Sequence, residues 1–135
     1  MADLTITAAN VLKGTGAVTT RGTAGVAVTA GQVVYADSTD GGKYKLADCT
    51  TSAATAAAVG IALHAAADEQ PLQILASGPI TIGGTVVPGT SYILSASGGI
   101  CPDADKTTLD RVVRLGYASS ATVLQVLIQN TGVTL

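Results

Sequence analysis

The chain reads as an all-β fold, a small β-barrel or sandwich built from two related hairpin-rich halves and preceded by an N-terminal arm. Three observations carry that expectation. Apolar residues come in runs of four to seven, cut by Gly, Pro, Asp and Ser turn signals, and no segment sustains a 3.6-residue period. The composition is small and β-branched, and the aromatic residues are four Tyr with no Trp or Phe, so aliphatic side chains must fill the core. The skeleton Tyr-x-x-Ser-x-x-Gly-Gly-x-x-x-x-Ala-Asp occurs twice, from Tyr35 to Asp48 and from Tyr92 to Asp105.

The doubling extends beyond the skeleton. It pairs Ser38 with Ser95, Gly41-Gly42 with Gly98-Gly99 and Ala47-Asp48 with Ala104-Asp105. Gly25-Val-Ala-Val precedes the first copy as Pro79-Ile-Thr-Ile precedes the second. Val59-Gly-Ile-Ala-Leu and Leu72-Gln-Ile-Leu follow the first, as Val113-Arg-Leu-Gly-Tyr and Leu124-Gln-Val-Leu follow the second. Residues 21–75 and 77–129 therefore read as two halves of one β domain, 21–135, behind an arm, 1–20. A length of 135 residues suits a single domain that buries a core without staples.

Taken in order, the arm begins with the alternation Leu4-Thr-Ile-Thr, which suits a strand pairing through its main chain with a neighbour. An ordinary first strand in the domain's own sheet is an equal reading. If the arm only serves a partner, deleting residues 2–12 abolishes partner binding and leaves melting almost unchanged. Gly25 to Tyr35 predicts two short strands across the turn Ala30-Gly31-Gln32. Residues 36–42 predict a hairpin tip, because Asp and Ser side chains cap turns and glycines accept positive φ. Lys43-Tyr-Lys-Leu is the return strand, and residues 49–58 are a loop or one helical turn. Val59–Leu63 and Pro71–Leu75 predict a hairpin, with Pro71 opening its strand or lying on an edge because it lacks an amide donor. Pro79-Ile-Thr-Ile runs to Gly83-Gly84, Pro88-Gly89 marks a turn, and Tyr92-Ile-Leu is a further strand. Residues 102–110 are a loop or short helix. Arg111–Tyr117 and Thr122–Gln129 form the last hairpin.

Charge excludes some partners. With a formal net charge of −2 and seven scattered Lys and Arg, the chain offers no basic stripe, so no direct nucleic-acid contact is expected. The N-terminus has neither a basic nor an apolar leader region, and no run is apolar enough to span a membrane. The chain is expected to be made in the cytosol without membrane association. Cys49 and Cys101 read as free reduced thiols rather than a disulfide.

No motif specifies an enzyme. His64 is the only histidine and no Gly-x-Ser-x-Gly elbow accompanies it, so it reads as a polar strand end. One His and two distant Cys lack zinc-ligand spacing. Asp37, Asp40 and Asp48, and Asp103 and Asp105, lack the order of a calcium loop and read as solvated turn carboxylates. Gly14-Thr-Gly16 lacks the Gly-Lys-Thr end of a phosphate loop. No catalytic, cofactor-binding or metal-ligating residue is assigned.

The run Val59-Gly-Ile-Ala-Leu-His-Ala-Ala-Ala-Asp-Glu-Gln-Pro-Leu-Gln-Ile-Leu-Ala-Ser-Gly, followed by Pro88-Gly-Thr-Ser-Tyr-Ile-Leu, resembles the head decoration, or capsid cement, proteins of tailed bacteriophages. The resemblance covers most of residues 25–128. It implies a non-enzymatic virion protein, made in the host cytoplasm, that binds the outer capsid surface and clamps adjacent subunits of the major capsid protein. It further implies a homo-oligomer, with a trimer favoured, and an arm that meets the shell through Asp3, Leu4, Thr5 and Ile6. The two Cys and the long Ala-Thr segment at 50–58 depart from the pattern. The alternative expectation is a fibre or adhesin-type β module of a virion or cell surface that binds a receptor or glycan.

Overall fold

The computed structural model describes residues 3–105 and 110–134. Its strands are β1 (Val11–Lys13), β2 (Val18–Thr23), β3 (Val33–Asp37), β4 (Lys43–Leu46), β5 (Ala58–Ala62), β6 (Pro71–Ile82), β7 (Ser91–Leu94), β8 (Ile100–Pro102), β9 (Arg111–Ala118) and β10 (Val123–Thr134). All strand pairings among them are antiparallel. The all-β expectation holds. The sheet runs β4-β3-β5-β6-β10-β9-β7-β8, with β1 and β2 also paired to β6.

That order is the same from either end once the two halves are matched strand for strand, β3 with β7, β4 with β8, β5 with β9 and β6 with β10. The bulges sharpen the match. Val34 pairs with Gly60 just before a register shift in the first half, and Tyr92 pairs with Gly116 just before one in the second. Pairing geometry thus sets Tyr92 opposite Val34, one residue from the Tyr35 to which the sequence skeleton matches it. A single slip exchanges the two faces of a strand, and Tyr92 is buried whereas Tyr35 is half-buried.

β6 joins the halves. Residues expected to form two separate strands, Pro71–Leu75 and Pro79–Ile82, are one, and Pro71 opens it as expected. Leu75 and Ile74 pair with both β2 and β5, so those strands flank its first half. Ile80 and Thr81 pair with both β1 and β10, which flank its second. Proline tolerates this position because the chain opposite it has left the ladder. Pro79 has no amide donor on the edge where its carbonyl accepts from Gly14, and there the chain loops out through residues 14–17 between β1 and β2. A Cβ on Gly14 would lie 2.7 Å from the Pro79 ring, and one on Gly78 would lie 2.8 Å from Ala17. The chain therefore crosses β6 closely at Gly14 and Ala17, while Gly16 between them is open.

A register shift opposite Ala76 reverses which face of β6 looks inward. Leu72 and Ile74 point into a smaller core with Ala24, Val28, Val34, Tyr44, Ala62 and Ala66. Leu75, Ile80 and Ile82 enter a larger one with Val33, Ile61, Tyr92, Leu94, Ile100, Val113, Leu115, Leu124 and Val126. Each fully buried aliphatic side chain contributes about 1.5–3 kcal/mol. The first half closes on itself where Ala24 bridges Tyr44 and the Gly25 amide donates to the Tyr44 carbonyl.

Some elements differ from expectation. Gly25–Val28 is held by two isolated bridges, Ala24 to Tyr44 and Val28 to Ala66, and is not a strand. Leu4–Thr7 also forms no strand, although the Leu4 amide donates to Ile100 and that of Thr7 to Gly83, so these residues span from β8 to the end of β6. β8 was not anticipated, because Ile100-Cys101 is too short to show alternation. Residues 53–56 form one helical turn, α1, started by a capping box between Ser52 and Thr55. Residues 103–105 form a 3₁₀ turn, and the rest of the expected loop at 106–109 lies outside the described residues. β10 runs to Thr134, beyond the expected Gln129.

Candidate functional site

The residues singled out for shell contact fold back on their own domain. Asp3 accepts a hydrogen bond from the buried Ser95 hydroxyl. Leu4 and Ile6 are half-buried against the larger core, while Thr5 is exposed. A groove of about 200 Å³ runs beside them, between the arm and the turn of residues 97–100. Of the four, Asp3 and Thr5 keep exposed surface.

Several titratable groups have structural employment. His64 bridges the hairpin: its Nδ1 lies 2.9 Å from the Ala65 carbonyl and its Nε2 is 3.0 Å from the Gln73 amide. These partners put the proton on Nδ1 and leave Nε2 accepting, so both ring nitrogens are occupied. Lys45 pairs with Asp37 at 2.8 Å and Asp40 at 3.2 Å, and Lys43 reaches Glu69 and Asp40. The Lys45 hydrogen bond, followed by those of Thr39, holds the Asp37 carboxyl down to about 2. Asp37 and Asp48 each cap a turn through the Thr two residues on. Burial pushes the Cys49 thiol up to about 12 and that of Cys101 up to about 11, and both are free. Among the described residues no group of three His, Cys, Asp or Glu could hold a metal, and no buried side-chain nitrogen or oxygen lacks a hydrogen bond.

What stays uncovered is one face of the sheet. Residues directly opposite in antiparallel strands share a face. Three rows cross β6 on the side away from the larger core: Leu12–Thr81–Val123, Pro79–Gln125–Tyr117–Ser91, and Val18–Ser77–Leu127. Leu12 is 64% exposed, Val18 56%, Tyr117 52% and Leu127 62%. None of the ten residues is charged. Matched by the bulges, Tyr117 stands where the first half has Ile61, which is fully buried. The second half thus presents to solvent a face that the first half buries.

Gly116 shapes the middle of this face. Its φ is +152°, and a Cβ there would lie 1.9 Å from the Gln125 carbonyl oxygen. The bare backbone floors a groove of about 140 Å³ lined by Ser91, Arg114, Tyr117, Leu127 and Gln129. Sequence reasoning missed this face, because the arm and the last hairpin were read separately and only the ladder on β6 unites them. One signal was present: Val123 to Ile128 is apolar at every position but Gln125, the pattern of a strand with two apolar faces.

No family model matches the chain, no curated protein matches it, and no solved structure matches it. No helix among the described residues is long and apolar enough to cross a membrane.

Proposed function

We propose that the chain is a structural protein of the outer surface of a tailed-bacteriophage head, binding the expanded shell and clamping adjacent major capsid subunits without catalysing a reaction. The observation that carries this reading is the uncovered sheet face that exposes Leu12, Val18, Tyr117 and Leu127, with Arg114 beside the central groove, on a fold where His64, Asp37 and Lys45 serve hairpins and ion pairs. An apolar patch of this kind marks association. Many copies on a symmetric lattice multiply a modest affinity by about 10² or more with no perturbed reactive group. The resemblance of residues 59–78 and 88–94 to capsid cement proteins supplies the particular partner. Those residues supply β5, most of β6 and β7, the strands around which both cores are packed.

Co-sedimentation of the purified protein with phage heads tests the reading. Expanded heads should carry it down and unexpanded heads should not. Equal binding to both forms, or none to either together with capture of a glycan by the isolated protein, would favour the receptor-binding alternative.

A further inference from the structure

We infer that His64 is a proton-operated clasp: its neutral ring closes the loop end of the β5–β6 hairpin, and protonation of that ring releases it. The inference stands on the geometry of this hairpin and is independent of any shell contact.

The last rung of the hairpin is half backbone and half side chain. The Leu63 amide donates to the Gln73 carbonyl at 3.1 Å, and in an antiparallel pair the Gln73 amide would return the bond to Leu63. It donates instead to His64 Nε2, at 3.0 Å, so a ring nitrogen stands in for a ladder carbonyl. A ring nitrogen accepts only while it carries no proton. In the neutral ring the single proton sits on Nδ1, 2.9 Å from the Ala65 carbonyl. A second proton goes to Nε2 and sets a donor against the Gln73 amide.

The surroundings oppose that second proton's charge. Arg21 on β2 pairs opposite Gln73 and lines a cleft of about 270 Å³ with His64, Pro71, Leu72 and Gln73. Among the described residues no carboxylate lines it: Glu69, in the same loop, pairs with Lys43, and Asp68 lies outside the cleft. An imidazolium here meets a guanidinium and no counter-charge. Imidazole is the side chain whose charge ordinarily changes between about pH 5 and 8, so mild acid works the clasp. The opening stops at Ala66, which exchanges two backbone hydrogen bonds with Val28, at 2.8 and 2.9 Å, that involve no titrating group.

Amide hydrogen exchange by NMR on the full chain tests this, comparing the wild type with His64→Gln, which keeps a side-chain acceptor that does not titrate. Protection factors remove the intrinsic pH dependence of exchange and report local opening. In the wild type, protection at Gln73 should fall about tenfold or more from about pH 7.5 to about pH 5, the loss expected for one hydrogen bond. Protection at Val28 and Ala66 should hold over the same range, and in His64→Gln all three amides should keep theirs. Nitrogen-15 shifts of the wild-type ring at about pH 7.5 should show the proton on Nδ1. Protection at Gln73 that does not change with pH, an equal fall at Ala66, the same fall in His64→Gln, or a ring protonated on Nε2 at about pH 7.5 would each overturn the inference.

Discussion

The carboxylate of Asp3 and the buried hydroxyl of Ser95 hold the start of the chain against the turn that follows β7. Leu4 and Ile6 pack beside this bond, and the Leu4 amide meets Ile100 on β8. The arm is therefore part of the folded second half. Asp3→Ala should lower stability by about 1–2 kcal/mol, the range for a hydrogen bond to a charged group after partial resolvation. It should also speed amide exchange at Leu4 and Thr7 more than at Ile80. Unchanged exchange at Leu4 would mean that the bond does not hold the arm.

Removing residues 2–12 tests the arm more severely. The deletion takes away Leu4, Ile6 and the buried Val11 together with two of the three residues of β1, and so uncovers the β6 edge at Thr81–Ile82. Losing three aliphatic contacts of this kind costs several kcal/mol on the ~1.5–3 kcal/mol scale for each full burial. A clear fall in melting temperature is expected, in contrast to the neutral melting expected of an arm that only serves a partner.

Gly116→Ala should be among the most damaging single changes. The added methyl meets the Gln125 carbonyl at a φ that L residues rarely adopt, so the β9–β10 ladder must part. The expected cost is about 3 kcal/mol or more, from backbone strain and overpacking together. Gly132→Ala, where φ is +71° but no atom lies within 4 Å, should cost only about 1 kcal/mol. Urea unfolding of the two variants side by side measures the contrast.

The Asp37–Lys45 pair makes stability depend on acid. Its folded carboxyl titrates at about 2, whereas an unfolded Asp titrates near ~3.9. The contribution is complete above the unfolded value and is lost as pH falls from about 4 toward 2. Lys45 is shifted upward by the same bonds, so its share persists until strongly alkaline pH. Melting temperature should fall less between pH 4.5 and 2 in D37N than in the wild type. Parallel curves would remove the pair from the account of acid stability.

Both thiols should be silent in the native protein. Burial raises them well above the ordinary cysteine range, and the thiolate is the reactive form. A disulfide-exchange reagent at pH 8 should label neither Cys49 nor Cys101 until the chain is unfolded, and then both.

How much of this was legible from residue order differs by element. The hairpin Lys43–Leu46 with its Asp-Gly-Gly tip and the Pro71 strand start were readable because each depends on neighbours within a few positions, whereas residues 49–58 read only as a loop or one helical turn, and the Ser52 cap emerged from the structure. The fused strand β6 was not, since Pro79 signals a break unless one knows that residues 14–17 step away opposite it. The same distance effect hid the outer face. Leu12 and Leu127 look like unrelated edge residues until β6 sets them on one surface. The one-residue slip between skeleton and bulge was equally invisible, because it lies in pairing across strands. The expected shell contact of Asp3 to Ile6 follows from the family resemblance, which does not report that Ser95 and Ile100 hold the arm in place.

The most direct measurement is electron cryo-microscopy of expanded heads assembled with and without the protein. The account predicts added density on the outer surface, repeated with the lattice symmetry and bridging neighbouring capsid subunits, into which this β fold fits. Decorated and undecorated maps that are identical, or density confined to a tail fibre, would contradict it.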